Sequence, residues 1–176
     1  VLRTNRTLFW GPRFKKPQFI EGNKSFVTDT WEGRQTSRRA HYIRIKIINK
    51  RQQIAKKCRA YLVNVEEWDN SINNFKPTIY CDSLQLAWSA QTIPYRALDI
   101  PKKVPHFIDI VSTRQGSSNY KIMTKLRLHR YGPLFRQHGK FRYTVLISGD
   151  NVKPKSRRII FEWSGNWDDF TATAGK

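Results

Sequence analysis

Four histidines (His41, His106, His129 and His138), two cysteines (Cys58 and Cys81) and thirteen carboxylates are the side chains best suited to hold a metal or move a proton. Their spacing argues against both roles. The histidines are far apart and none stands at a metal-ligand interval. Two cysteines with no histidine nearby do not make a zinc site. Each cysteine lies in an apolar run and reads as a small buried hydrophobe; a disulfide would need their Cα atoms within about 7 Å. Asp168-Asp169 beside Glu162 could attract a hard cation, but such ions need several oxygens fixed together. Capping a terminus, or pairing with Arg157 or Arg158, is the simpler reading. A metal-dependent nuclease would place two or three acids and a Lys on adjacent strand ends, for example Asp99, Asp109 and Lys121, with metal ions steadying both oxygens of the displacement. Nothing in the pattern sets these three apart from surface residues. There is no P-loop, nucleophile elbow or dinucleotide-binding glycine run.

Cationic charge, by contrast, is abundant. Thirty-three Lys and Arg stand against thirteen Asp and Glu, a formal net charge of +20 on 176 residues. A domain this basic repels itself, and polyanions relieve the repulsion: nucleic acid, an anionic membrane face or an acidic protein. The charge is segregated. Residues 1–60 carry sixteen Lys/Arg and three acids, residues 61–120 five and six, and residues 121–162 eleven and two. Two basic flanks around a neutral middle imply a single electropositive face if the fold brings the flanks together. Phosphates attract Lys and Arg through charge and counterion release, and the candidates are Lys15, Lys16, Arg38, Arg39, Arg44, Lys46, Lys56, Lys57, Arg142, Arg157 and Arg158. Trp10 and Trp31, set among charges, are candidates to stack on unpaired bases. Strand Lys and Arg are also the ordinary solvent face of a sheet, where they protect edges.

The elements that would position these residues read as strands. Ile43, Ile45 and Ile47 alternate with Arg44 and Lys46 over 41–49, the period of a half-buried strand. A polar turn over 49–53 leads to a second strand over 58–66, with Cys58, Ala60 and Leu62 on one face and Tyr61, Val63 and Val65 on the other. Apolar matter on both faces predicts a central strand. Residues 68–76 read as a polar connection, followed by apolar segments at 78–81 and 84–88. Further strands are expected at 97–100, 106–112, 121–129, 141–148 and 156–163, the last in the chain, with turns at 114–119, 149–151 and 164–166. Residues 1–40 are irregular, broken by Gly11, Pro12, Pro17, Gly22 and Gly33, with short strands near 18–20 and 26–30. Many short strands without a long amphipathic helix favour an antiparallel β-sandwich over a barrel.

The run Tyr42-Ile43-Arg44-Ile45-Lys46-Ile47-Ile48-Asn49, followed by Ile54-Ala55-Lys56-Lys57-Cys58, resembles a pattern of immunoglobulin-like bacterial domains. In these a hydrophobic strand ends in Asn, a turn follows, and a small residue opens the next strand. Tyr143 to Asn151, followed by Phe161 to Asp168, resembles their closing hairpin. Such domains, many of them uncharacterised, are often appended to other modules or to membrane segments. The resemblance covers about residues 41–170 and implies a sandwich without implying an activity. Lys50-Arg51-Gln52 stand where such domains usually place a Gly in the first hairpin.

The chain is therefore expected to be all-β: an immunoglobulin-like antiparallel β-sandwich over 41–170, a basic and aromatic N-terminal arm over 1–40, and a C-terminal tail over 171–176. The first residue is Val, which reads as a processed or excised chain. The expected function is a non-catalytic binding module with a basic face for nucleic acid, needing no cofactor. The alternatives are an accessory domain that meets an acidic protein or an anionic membrane surface and, more remotely, a metal-dependent nuclease.

Overall fold

Alternating isoleucines and cations do build a strand at 39–49, and the rest of the chain follows the same logic. The structure, a computed structural model, describes residues 19–32, 39–89, 91–126, 129–167 and 169–175. Among the described residues twelve strands run in chain order: β1 (Phe19–Glu32), β2 (Arg39–Asn49), β3 (Ala55–Asp69), β4 (Asn74–Pro77), β5 (Leu84–Gln85), β6 (Ala87–Trp88), β7 (Leu98–Ile100), β8 (Pro105–Arg114), β9 (Lys121–Ile122), β10 (Gly139–Gly149), β11 (Val152–Trp163) and β12 (Phe170–Ala174). Two single 3-10 turns, at His129–Tyr131 and Leu134–Arg136, are the only helical elements among the described residues.

The strands form two antiparallel sheets. One has the order β1-β2-β8-β6, with β9 also on β8; the other has the order β12-β11-β10-β3-β4, with β5 and β7 also on β3. Their inner faces share one core. Ile43, Ile45, Ile47, Ile108 and Ile110 come from the first sheet, and Leu62, Val65, Tyr143, Phe161 and Trp163 from the second. Period-two alternation sends these residues inward and leaves Tyr42, Arg44 and Lys46 on the outer face. The segment 84–88 changes sheet midway: Leu84 pairs with Leu62 on β3, while Trp88 pairs with Ile108 on β8. Between them Leu86 N donates to Ala60 O at 2.8 Å. That crossing stitches the two layers along one side.

Several expectations need correction. The two short strands expected near 18–20 and 26–30 are one strand, β1, whose pairing with β2 slips between Glu21 and Phe26. Val65 faces the core with Cys58 and Leu62, because a bulge opposite the Thr144–Val145 step shifts the parity of β3. The polar connection at 68–76 is a tight hairpin, since Asn74–Pro77 pairs back on Glu66–Asp69. The strand expected over 121–129 stops at Ile122. Beyond it Thr124 Oγ1 donates to Leu126 O at 2.9 Å and turns the chain, so the alternating Leu126 is left exposed. Residues 170–174, assigned largely to a tail, form β12 on β11. Cys81 is exposed in a loop, unlike the buried Cys58, and both thiols are free.

Candidate anion-binding site

Three connections meet at one end of the two sheets: β2–β3 (residues 50–54), β7–β8 (101–104) and the β10–β11 turn (150–151). Asn49, buried at the close of β2, ties the first two together. Its Nδ2 donates to Gln53 O at 2.8 Å and to Ile100 O at 3.0 Å, and its Oδ1 accepts from Arg51 N at 3.0 Å. Its own carbonyl accepts from Lys103 N at 2.8 Å. Asn151 does the same for the third, accepting from Lys56 N at 2.8 Å and donating to Ile54 O at 2.8 Å. Asp99 Oδ1 accepts from Lys57 N at 2.8 Å. Gly149 is forced by proximity: a Cβ there would lie 2.6 Å from Lys56 O. Hydrogen bonds of this kind fix loop geometry, and breaking the buried one, from Asn49 Nδ2 to Ile100 O, would strand a polar group.

This rigid end is densely cationic. Across residues 49–57, 99–104 and 149–153 there are seven Lys and Arg (Lys50, Arg51, Lys56, Lys57, Lys102, Lys103 and Lys153) and two acids, Asp99 and Asp150. Lys50, Lys56, Lys57, Lys103 and Lys153 are exposed. Lys57 Nζ lies 3.0 Å from Asp150 Oδ2, with both side chains open to solvent, so that pair holds its partners weakly. No aromatic residue occurs in these three segments. Phe19 opens β1 opposite Asn49 at the same end.

Of the cations expected to touch phosphate, Lys56 and Lys57 belong to this end. Lys15, Lys16, Arg38 and Trp10 lie outside the described residues, and of Arg39 and Trp31 only the strand backbone is described. The remaining cations are not gathered with the loops. Arg44 and Lys46 are on the outer face of the first sheet, where Arg44 Nε donates to Asp109 Oδ1 at 2.8 Å. Arg142 is on the outer face of the second sheet, donating twice to Glu66 at 2.6 Å, with its guanidinium 4.5 Å from the Phe75 ring centre. Arg158 lies opposite Thr144 on that outer face, and Arg157 is half-buried on the alternate face of β11. The basic flanks therefore do not bring Arg44 and Lys46 onto one face with Arg142: the outer faces of the two sheets point to opposite sides. Basic pairs in connections, Lys50-Arg51 and Lys102-Lys103, are the sequence signal for the loop end.

The ion pairs also perturb titration. Hydrogen bonding from Arg142 holds the Glu66 carboxyl below the usual range. A hydrogen bond from Tyr131 OH at 2.5 Å, reinforced by Arg130, does the same for Asp82. Burial pushes the Cys58 thiol up to about 12 and lowers His106. Asp109 is taken by Arg44, and Asp99, on the other sheet, is taken by the Lys57 amide, so the carboxylates of the nuclease constellation do not converge. Among the described residues no group of three or more His, Cys, Asp or Glu is placed to hold a metal ion. No helix among them is long and apolar enough to cross a membrane.

No family model matches this chain, and neither a curated protein nor a solved structure matches it.

Proposed function

We propose that this chain is a non-catalytic binding module whose loop end takes a polyanion, nucleic acid being the best fit. The observation that carries this reading is the contrast in cation pairing. The sheet-face arginines 44 and 142 are neutralised by acids beside them, while the loop end presents exposed lysines on hydrogen-bonded loops with two acids among them. Cations on a stiff scaffold attract phosphate without the entropy cost of ordering a loop. Without aromatic rings in the three loops, contact is with the phosphodiester backbone and not with stacked bases, so sequence preference is slight and duplex binds as well as single strand. An immunoglobulin-like type of sandwich is part of the same proposal, supported by Asn49 closing the β2 strand and by the β10–β11 hairpin.

Fluorescence anisotropy with labelled duplex and single-stranded DNA over a salt series tests the reading. Affinity should fall steeply and log-linearly with salt, with a slope near 0.9 per phosphate contact. Affinity that ignores salt, or that appears only with anionic vesicles, would refute nucleic acid as the partner.

A further inference from the structure

Resting on that reading of the loop end, we infer that Lys57 and Lys103 are its anchoring residues. Each is held in left-handed backbone so that its ammonium meets the phosphate backbone from a fixed position.

Three non-glycine residues have positive φ among those described: Lys57 at 49°, Asn73 at 49° and Lys103 at 61°. The left-handed region is uncommon for side chains with a Cβ, and Gly, Asn and Asp occupy it most easily. Asn73, in the β3–β4 turn away from the cationic end, follows that preference. The other two positions are both at the cationic end, and both are lysine. Lys57 occupies the bulge where the β3–β7 pairing slips between Ala55 and Cys58, a site where glycine is the usual occupant. Lys103 occupies the short β7–β8 turn, whose preceding residue, Lys102, bridges to Asn49. Neither gains from its own backbone shape, so the charge is the property that a conformationally easier residue would lack. Backbone strain of this kind collects where the surrounding structure holds it in place for a task.

The surroundings hold both. Lys57 N donates to Asp99 Oδ1, and Lys103 N donates to Asn49 O, each at 2.8 Å. Those two acceptors are themselves joined, because Asn49 Nδ2 donates to the carbonyl of Ile100, the residue after Asp99. One hydrogen-bonded frame thus sets the origin of both side chains. Lys50, Lys56 and Lys153 share the end without this backbone conformation, and they supply general attraction.

The experiment compares four neutralisations in the full chain: Lys57→Asn and Lys103→Asn against Lys50→Asn and Lys153→Asn. Each is read by duplex DNA affinity at about 0.1 M salt and by thermal melting. A true phosphate contact contributes roughly eightfold at that salt, from its slope of about 0.9. Lys57→Asn and Lys103→Asn should therefore each lose about eightfold while melting about 1–3 °C higher, because the strain is relieved. The controls should lose about twofold or less by screened long-range attraction, with no rise in melting temperature. Lys57→Arg and Lys103→Arg should stay within about twofold of the parent, since phosphate contact follows charge. Equal losses at all four positions would overturn the anchoring role and leave the polyanion reading standing. No loss at any of the four would overturn the polyanion reading itself. A melting temperature that falls in both asparagine variants would show that the left-handed lysines are not strained, and would also overturn the anchoring role.

Discussion

The outer faces of the sheets and the loop end both carry lysine and arginine, yet the two regions use them in opposite ways. On the faces, cross-strand neighbours answer each other. Arg142 sits opposite Glu66 and Arg44 opposite Asp109, with each guanidinium half-buried against its carboxylate. At the loop end, cations follow one another along short connections, most hydrogen bonds go into backbone position, and the Lys57–Asp150 pair is open to solvent and weakly held. Close pairing turns a strand arginine into part of the sheet. Cations on a turn have few neighbours to neutralise them, so the same residue type becomes available to a ligand. A net charge of +20 therefore overstates the faces and understates the loops.

Neutralising Lys57 and Lys103 together with Lys50 and Lys153 should break this contrast most severely. We expect about a 100-fold loss of DNA affinity, with a salt slope smaller by roughly 2. The double variant Arg44→Met/Asp109→Leu should bind within about threefold of the parent, because a compensated pair adds little external field. Anisotropy titrations at several salt concentrations measure both; equal losses would mean that faces and loops act alike.

Asn49→Ala attacks the frame and not the charge. It strands Ile100 O and the Arg51 amide, and should cost about 2–3 kcal/mol of unfolding free energy in urea titrations. DNA affinity should drop with it even though every lysine remains.

On the face, Arg142→Ala should cost about 1–2 kcal/mol by leaving the half-buried Glu66 carboxylate without its fork. The pH dependence has a definite sign. Because Arg142 depresses the Glu66 pKa in the folded state, the stabilisation is complete above the unfolded value of about 4.3 and is lost as pH falls through the lower folded value. Urea midpoints of parent and Arg142→Ala should therefore differ at pH 6 and draw together as the pH falls through that lower folded value; an undiminished gap at low pH would contradict the ionic account.

The smallest effect sharpens the boundary between core and surface. One thiol, exposed Cys81, should react promptly with a disulfide reagent at neutral pH, while buried Cys58, with its pKa raised to about 12, should react only on unfolding. A mass shift of one label against two reads this directly.

How far the chain was legible depends on the range of the interactions involved. The strands expected at 41–49, 141–148 and 156–163 all lie within observed strands, because local alternation or β propensity marks them, while the first four residues of β11 carry no such local signal. The short length of β9 and the inward turn of Val65 were not legible, because each depends on a partner strand: one on where pairing with β8 ends, the other on a bulge against β10. Lys56 and Lys57 were identified as phosphate candidates, but Lys103 was not, since its backbone conformation and its tie to Asn49 arise between segments far apart in sequence.

Composition and alternation by themselves determined that this chain folds into antiparallel β-structure with an excess of cations, because both properties are sums over local residues. Only the tertiary structure decided which cations are spent on neighbours and which face outward. Ion pairing and loop convergence depend on register between strands 65 or 76 residues apart, and Coulomb attraction at a few ångströms is set by that register and not by how many charges the chain carries.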